Sequence, residues 1–149
     1  MTKMKIRIFL FVAATSGAFS SGYAASIKDE YELQERCGKR AEEVFKREFG
    51  NGISNTKDSQ SMSGYENHFN KKLNKCFVLL RTTIFTHKTK KEGATTSSDI
   101  VLYDINENKQ YGTFFKTRND DKTVICSVSE KICHSESEWD AQIKPYMNE

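Results

Sequence analysis

The residues best suited to acid–base chemistry in this 149-residue chain are its three histidines, His68, His87 and His134. His68 lies close to Lys71 and Lys72, and an imidazole beside a lysine could support hydrolysis of the kind that nucleases perform. That chemistry needs a second histidine or an acid at the same place, and nothing in the local sequence brings His134 to His68. A small hydrolase that uses His68 with Lys71 or Lys72 is therefore our alternative prediction.

No metal and no other cofactor is predicted. Zinc ligands usually recur at spacings such as C-x2-C or H-x3-H, and neither occurs, although Cys126 and Cys133 are followed by His134. The segment Asp104–Asn108 begins like a calcium loop, but Lys109 stands where the sharp turn of such a loop needs glycine. We interpret this segment as a hairpin turn.

A tract of basic residues interleaved with aromatic residues is the candidate binding surface. Stacking rings with a cationic rim could bind single-stranded nucleic acid or an anionic glycan. Lysines on turns and edge strands also discourage aggregation, and we favour this second interpretation, so the nucleic-acid signal is not strong. The candidate binding residues are Tyr65, Phe69, Lys71, Lys72, Lys75, Lys88, Lys90 and Lys91.

The N-terminal segment predicts export. Three basic residues precede the short apolar run Ile8–Ala14, and Gly22 and Ala24 occupy the −3 and −1 positions of a cleavage site. This pattern is typical of a secretory signal peptide over residues 1–24. The apolar run is far shorter than the ~20 residues that span a bilayer. We expect a single domain over residues 25–149, periplasmic or secreted, with no membrane span.

Without this leader the chain is neutral. The full chain has 23 Lys and Arg against 20 Asp and Glu, and residues 1–24 hold three of the bases and none of the acids. A global attraction to nucleic acid or to an anionic membrane is therefore not expected. Bases concentrate in the middle of the chain and acids near its C-terminal end, and such segregated charge suits a protein partner better than a polyanion.

The four cysteines predict two disulfides. They are Cys37, Cys76, Cys126 and Cys133, and an even number in an exported chain of this size indicates disulfide bonds. Three pairings are possible. A two-residue hairpin loop at Ser129-Glu130 would place positions 126 and 133 opposite each other, ~4.5–5.5 Å apart at Cα and within disulfide reach. We therefore favour Cys126–Cys133, and Cys37–Cys76 follows by elimination.

Helices are predicted at both ends of the domain. Apolar residues recur at helical spacing through residues 26–49, and Cys37 lies in their stripe, facing the core. Ser135 and Glu138 form a capping box for a second, short helix near the C-terminus. Pro145 should end or kink that helix.

Between the helices, hairpins predict an antiparallel sheet of about five strands. Cys76–Phe85 is the most apolar run outside the leader and indicates a strand buried on both faces. Asn51–Ser63 and His87–Asp99 are predicted as polar loops. The fold class is therefore α+β, with one or both helices packed on one face of the sheet. The remaining strands are expected at Tyr65–Asn70, Ile100–Ile105, Gln110–Lys116 and within the hairpin of residues 123–133.

Several of these pieces together resemble small uncharacterised exported bacterial proteins that carry a signal peptide and four cysteines. The resemblance implies a cell-envelope address and no particular activity, so it assigns no site residues. The pieces that carry it are Tyr65–Asn70, Leu73–Val78, Tyr111-Gly112, the Cys126/Cys133 hairpin and Ile143–Met147.

The sequence contains no G-x-S-x-G, P-loop or G-x-G-x-x-G motif. Export, disulfides and segregated charge favour a non-enzymatic binding module for a protein or a cell-envelope component. A small secreted hydrolase based on His68 is the alternative.

Overall fold

The computed structural model describes residues 27–88, 93–117 and 123–148, so the predicted leader lies outside the described residues. These residues form two helices and seven strands, which confirms the α+β class. The elements in chain order are α1 (Ile27–Phe49), β1 (Ile53–Asn55), β2 (Ser59–Asn70), β3 (Lys75–Thr86), β4 (Thr95–Asp104), β5 (Lys109–Thr117), β6 (Thr123–Val128), β7 (Lys131–Ile132) and α2 (Glu136–Met147).

The seven strands form one antiparallel sheet in which every strand pairs with the next along the chain. The prediction of about five strands was too low, because β1 was not expected and the hairpin predicted within residues 123–133 supplies two strands, β6 and β7. The predicted loops 51–63 and 87–99 were also wrong, since they contain β1 and the first residues of β2 and β4. Their Ser and Thr side chains pair across strands, as Ser63 Oγ and Thr82 Oγ1 do at 2.9 Å, and such pairs stabilise a sheet.

Strand β3 is buried on both faces over its first half, as its apolar sequence predicted. Phe77 and Leu79 belong to one apolar cluster with residues of α2, and Cys76 and Val78 belong to a second with residues of α1. All four side chains are almost completely buried. The two helices therefore lie on opposite faces of the sheet and not on one face, because successive strand residues point to opposite sides and both sides need cover.

Helix α1 packs mainly on β2 and β3 through the predicted apolar stripe, in which Cys37 and Ala41 are buried. It also covers the edge of β2 along the part of that strand that β1 does not pair with. There Gln34 Oε1 accepts a hydrogen bond from the Phe69 N–H at 2.7 Å. Covering an edge in this way prevents further strand pairing. Gly52 follows the helix with φ +81°, and a Cβ there would lie 2.4 Å from the Ser63 carbonyl oxygen, so this turn requires glycine.

Helix α2 lies on the other face and begins at its predicted cap. Ser135 Oγ accepts from the Glu138 N–H at 3.2 Å. Pro145 does not end the helix, which continues to Met147. The carbonyl groups left without intrahelical partners near the C-terminus of a helix need other donors, and the buried Asn70 supplies one: its Nδ2 donates to the carbonyls of Pro145 and Tyr146 at 2.9 and 3.3 Å.

Both predicted disulfides are confirmed. Cys37–Cys76 joins α1 to β3, and Cys126–Cys133 joins the strands of the last hairpin. In that hairpin Val128 pairs with Lys131 across the two-residue loop, as expected.

We predict that the two disulfides contribute unequally to stability. Replacing Cys37 and Cys76 together by alanine should lower the free energy of unfolding by about 4 kcal/mol, and replacing Cys126 and Cys133 together by about 2.5 kcal/mol, because the longer loop restricts the unfolded chain more. The sequence separations are 39 and 7 residues. Chemical denaturation of both double variants beside the oxidised parent measures the costs. A larger loss from the shorter loop would contradict the prediction.

Candidate functional site: a polar cavity beside the last hairpin

The two aromatic rings of the predicted binding surface lie under α1. Tyr65 is half-buried, with its ring centroid 4.8 Å from that of Phe45, and Phe69 is 9% exposed. The basic Lys75 begins the next strand and reaches the opposite side of the sheet, where it lies over the ring of Tyr111. The structure therefore does not join these rings and this lysine into one stacking platform.

The predicted basic rim is divided among separate contacts. Lys71 Nζ lies 2.8 Å from Glu30 Oε2 of α1, while Lys72 and Lys88 are exposed. Lys75 binds two acids and is described below. Lys90 and Lys91 lie outside the described residues. No continuous cationic surface follows from the described members of this set.

The structure does not bring His68 and Lys71 together. His68 is half-buried, on the side of β2 opposite to Phe69, and its Nε2 is buried without a hydrogen-bond partner among the described residues. Lys71 contacts α1 on the other side of the sheet. His134 is exposed, and its backbone N–H donates to Glu138 of α2. Within the described ranges, no group of three or more His, Cys, Asp or Glu could hold a metal ion.

A partly buried ion-pair cluster closes one end of the sheet. Lys75 Nζ lies 2.8 Å from Asp104 Oδ2 and 2.5 Å from Glu107 Oε2, and Asp104 is completely buried. Asp104 Oδ1 also accepts from the N–H groups of Asn106 and Glu107, so the carboxylate builds the turn that follows it. The segment Asp104–Asn108, which begins like a calcium loop in sequence, therefore forms the predicted hairpin turn between β4 and β5.

The hydrogen bond to Asp104, and to a smaller extent the one to Glu107, raises the pKa of Lys75 above its ordinary value of 10.5. A pKa that is higher in the folded than in the unfolded state adds stability below the unfolded pKa, and this stability is lost as the pH rises through the folded value. Lys75 therefore stays protonated at neutral pH. It acts as a structural cation and not as a general base.

An aromatic cluster joins this end of the sheet to the C-terminal end of α2. Tyr111 meets Phe77 edge-to-face with centroids 5.2 Å apart, and Tyr146 of α2 lies 5.6 Å from Tyr111. The ammonium groups of Lys75 and Lys109 lie 5.7 and 5.1 Å from the centroid of the Tyr111 ring, close enough for cation–π attraction. The ring of Tyr111 is thereby fixed in orientation.

The last hairpin turn brings a second set of polar groups to the same place. Ser129 N–H donates to the Tyr111 carbonyl at 2.7 Å, and Ser129 Oγ lies 2.8 Å from the Tyr146 hydroxyl oxygen. Ser129 and Glu130 have φ values of +45° and +70°, a left-handed conformation that costs roughly 1–2 kcal/mol for a residue with a side chain. Such turns normally use Asn-Gly. Strain of this kind is often found at functional sites.

Between these two sets of groups lies a cavity of about 420 Å³. It offers an ammonium group, a carboxylate, two hydroxyl groups, an amide and an aromatic ring within one concave surface. This volume lies within the range of about 300–1,000 Å³ that small-ligand sites have, and the lining is more polar than the largely apolar lining of most such sites. The sequence predicted the Ser129-Glu130 turn but not a binding site there. The absence of glycine from a two-residue hairpin turn is the sequence feature that could have indicated a strained, functional turn. The lining residues are Lys109, Gln110, Tyr111, Gly112, Ser127, Ser129 and Glu130.

The fold and this cavity define a disulfide-bonded α+β protein with a seven-stranded antiparallel sheet between two helices. No protein-family model, curated protein or solved structure matches the chain. Neither helix of the described ranges is both long enough and apolar enough to cross a membrane.

We predict that the two acids bound to Lys75 differ in importance. Asp104→Ala should lower the free energy of unfolding by about 3 kcal/mol, because it leaves buried donors without their acceptor. Glu107→Ala, at a carboxylate that is 57% exposed, should cost less than about 1 kcal/mol. Chemical denaturation at neutral pH measures both variants. Equal losses would show that burial does not govern this cluster.

We also predict that the turn at Glu130 is strained. Glu130→Gly should raise the free energy of unfolding by about 1 kcal/mol, because glycine adopts a positive φ without steric cost. Glu130→Ala is the matched control, since it removes the same carboxylate and keeps the steric cost. Thermal unfolding of the oxidised variants compares them. A glycine variant no more stable than the alanine variant would refute the strain.

Proposed function

We propose that this chain is an exported, non-enzymatic binding module and that it binds a saccharide-containing component of the cell envelope in the cavity beside Tyr111. Export is supported by the leader pattern of residues 1–24 and by two disulfides that leave no free cysteine among the described residues, a pattern typical of oxidising compartments. The observation that carries the binding proposal is the cavity itself, whose wall is a strained turn.

The chemistry of the cavity suits a sugar better than an apolar ligand. Saccharides present many hydroxyl groups and a weakly apolar ring face, and amino sugars or uronic acids add a charge. Ser127 and Ser129 can exchange hydrogen bonds with hydroxyl groups, and Tyr111 provides an apolar wall. Lys109 and Glu130 carry opposite charges and can orient a ligand that has amide and carboxylate groups.

The fixed geometry of the cavity supports binding at low entropic cost. Cys126–Cys133 closes the hairpin that carries Ser127, Ser129 and Glu130, and the Ser129 hydrogen bonds attach its turn to β5 and α2. Preorganised sites lose less conformational freedom when a ligand binds.

Calorimetric titration of the oxidised chain with soluble peptidoglycan fragments and with chitin oligomers tests the proposal. We expect binding of one of these saccharides. Glu130→Gln and Lys109→Met should each weaken it by about tenfold, the size of one lost charge-assisted hydrogen bond. Lys88→Met is the matched control, because Lys88 is exposed and does not line the cavity, and it should bind like the parent.

Two outcomes would contradict the proposal. Absence of binding to every fragment, or equal weakening by Lys88→Met, would remove the assigned site. Cleavage of the fragments that is lost in His68→Ala would favour the hydrolase alternative.

A further inference from the structure

A second concave surface lies on the opposite side of the sheet, beside α1, and plays no part in the proposed saccharide site. It encloses about 270 Å³ between α1, the start of β3 and the turn after β4. Arg36 and Arg40 lie four residues apart on α1, which places them on the same side of the helix. Phe69 and the Cys37–Cys76 disulfide also line the groove, and Asn106 contributes the turn after β4. We call this surface the arginine groove.

The two guanidinium groups are not used by the ion pairs of α1. Three other bases of this helix are paired, Lys39 with Glu35, Lys46 with Glu42, and Arg47 with Glu48. No ion pair joins Arg36 or Arg40 to an acid of the described residues. Among the described residues, Arg36 Nε donates to the backbone carbonyl of Glu32, at 3.4 Å. The planar forks of both side chains are thus available to an anion.

The other side of the groove is apolar. Phe69 is 9% exposed, and Cys37 and Cys76 are 4% and 2% exposed, so one aromatic ring and the disulfide form a packed wall of which a small part faces the groove. Leu33 extends it. A ligand that fits must combine an anionic group with an apolar group. The volume lies just below the range of about 300–1,000 Å³ that holds drug-sized ligands, so it suits the end of a chain.

We propose that the arginine groove binds the C-terminal carboxylate of a peptide whose last side chain is apolar. The carboxylate accepts hydrogen bonds from Arg36 and Arg40, the geometry in which arginine pairs most strongly. The last side chain lies against Phe69 and the disulfide. The Asn106 side chain, exposed at the rim, is free to meet the peptide backbone that leads out of the groove.

A nucleic acid fits this groove less well. Binding to a polyphosphate depends on many cations along the backbone, whereas this groove offers two guanidinium groups beside an apolar wall. The chain without its leader is also neutral. These features favour a ligand with one terminal charge.

The test uses a short acetylated peptide that ends in leucine with a free carboxylate, titrated into the oxidised chain and followed by amide chemical shifts. We expect shifts around Arg36, Arg40 and Asn106. Amidating the C-terminus of the peptide should weaken binding by about tenfold or more, because the charge-assisted hydrogen bonds are lost. Changing its last residue to serine should weaken binding too, since less apolar surface is buried.

Variants of α1 locate the site. Arg36→Gln and Arg40→Gln should each weaken binding of the free acid by about tenfold. Lys39→Gln is the matched control on the same helix, because Lys39 is paired with Glu35 and does not line the groove. It should bind like the parent. All these side chains are exposed, so the variants should keep the thermal stability of the parent within a few degrees.

Several results would overturn the proposal. They are equal affinity for the acid and the amide, equal displacement of the peptide by inorganic phosphate at the same concentration, or no binding at all. A peptide ending in D-Ala-D-Ala that binds more tightly than the leucine peptide would replace the peptide C-terminus with a cell-wall stem as the ligand. The Glu130→Gln variant should bind the leucine peptide unchanged, which separates this site from the saccharide cavity.

Discussion

The burial of β3 on both faces is the constraint on which the rest of this structure depends. A strand alternates its side chains between two sides, and Phe77 and Val78 are both completely enclosed although they point in opposite directions. One helix cannot cover both sides of a sheet. The chain meets this requirement with one helix before the sheet and one after it. Between the two helices the seven strands follow one another in chain order across the sheet.

Two buried polar side chains then fix the end of the sheet where β3 begins. Asn70 binds the C-terminal carbonyls of α2, and its Oδ1 accepts from the Leu73 N–H in the β2–β3 turn. Asp104 binds Lys75 and the turn after β4. A buried polar group is costly unless it is hydrogen-bonded, so each side chain holds its turn in one geometry. Both candidate sites use elements that these two side chains fix.

The sequence was informative where the physical signal is local. The helical stripe around Cys37, the cap at Ser135 and the two-residue turn at Ser129-Glu130 each depend on residues close along the chain, and each was placed correctly. The disulfides followed from those local placements. Strand lengths were underestimated because the residues of 59–63 and 95–99 are polar, and their extended structure depends on pairing with β3. Such pairing lies far away in the sequence and overrides local propensity.

The candidate sites were harder to find for a related physical reason. Residues that are neighbours in a strand lie on opposite faces, so an interleaved run of aromatic and basic residues separates when it becomes strand, turn and strand. Phe69 then faces α1, while Lys75 faces the side of α2 and is neutralised by acids from 29 and 32 positions away. Residues four apart in a helix stay together, which is why Arg36 and Arg40 converge without any run of charge to reveal them. A charged side chain can be assigned to a binding site only when its ion-pair partners within the protein are known. In this fold those partners are distant in sequence for Lys75 and lacking among the described residues for the two arginines.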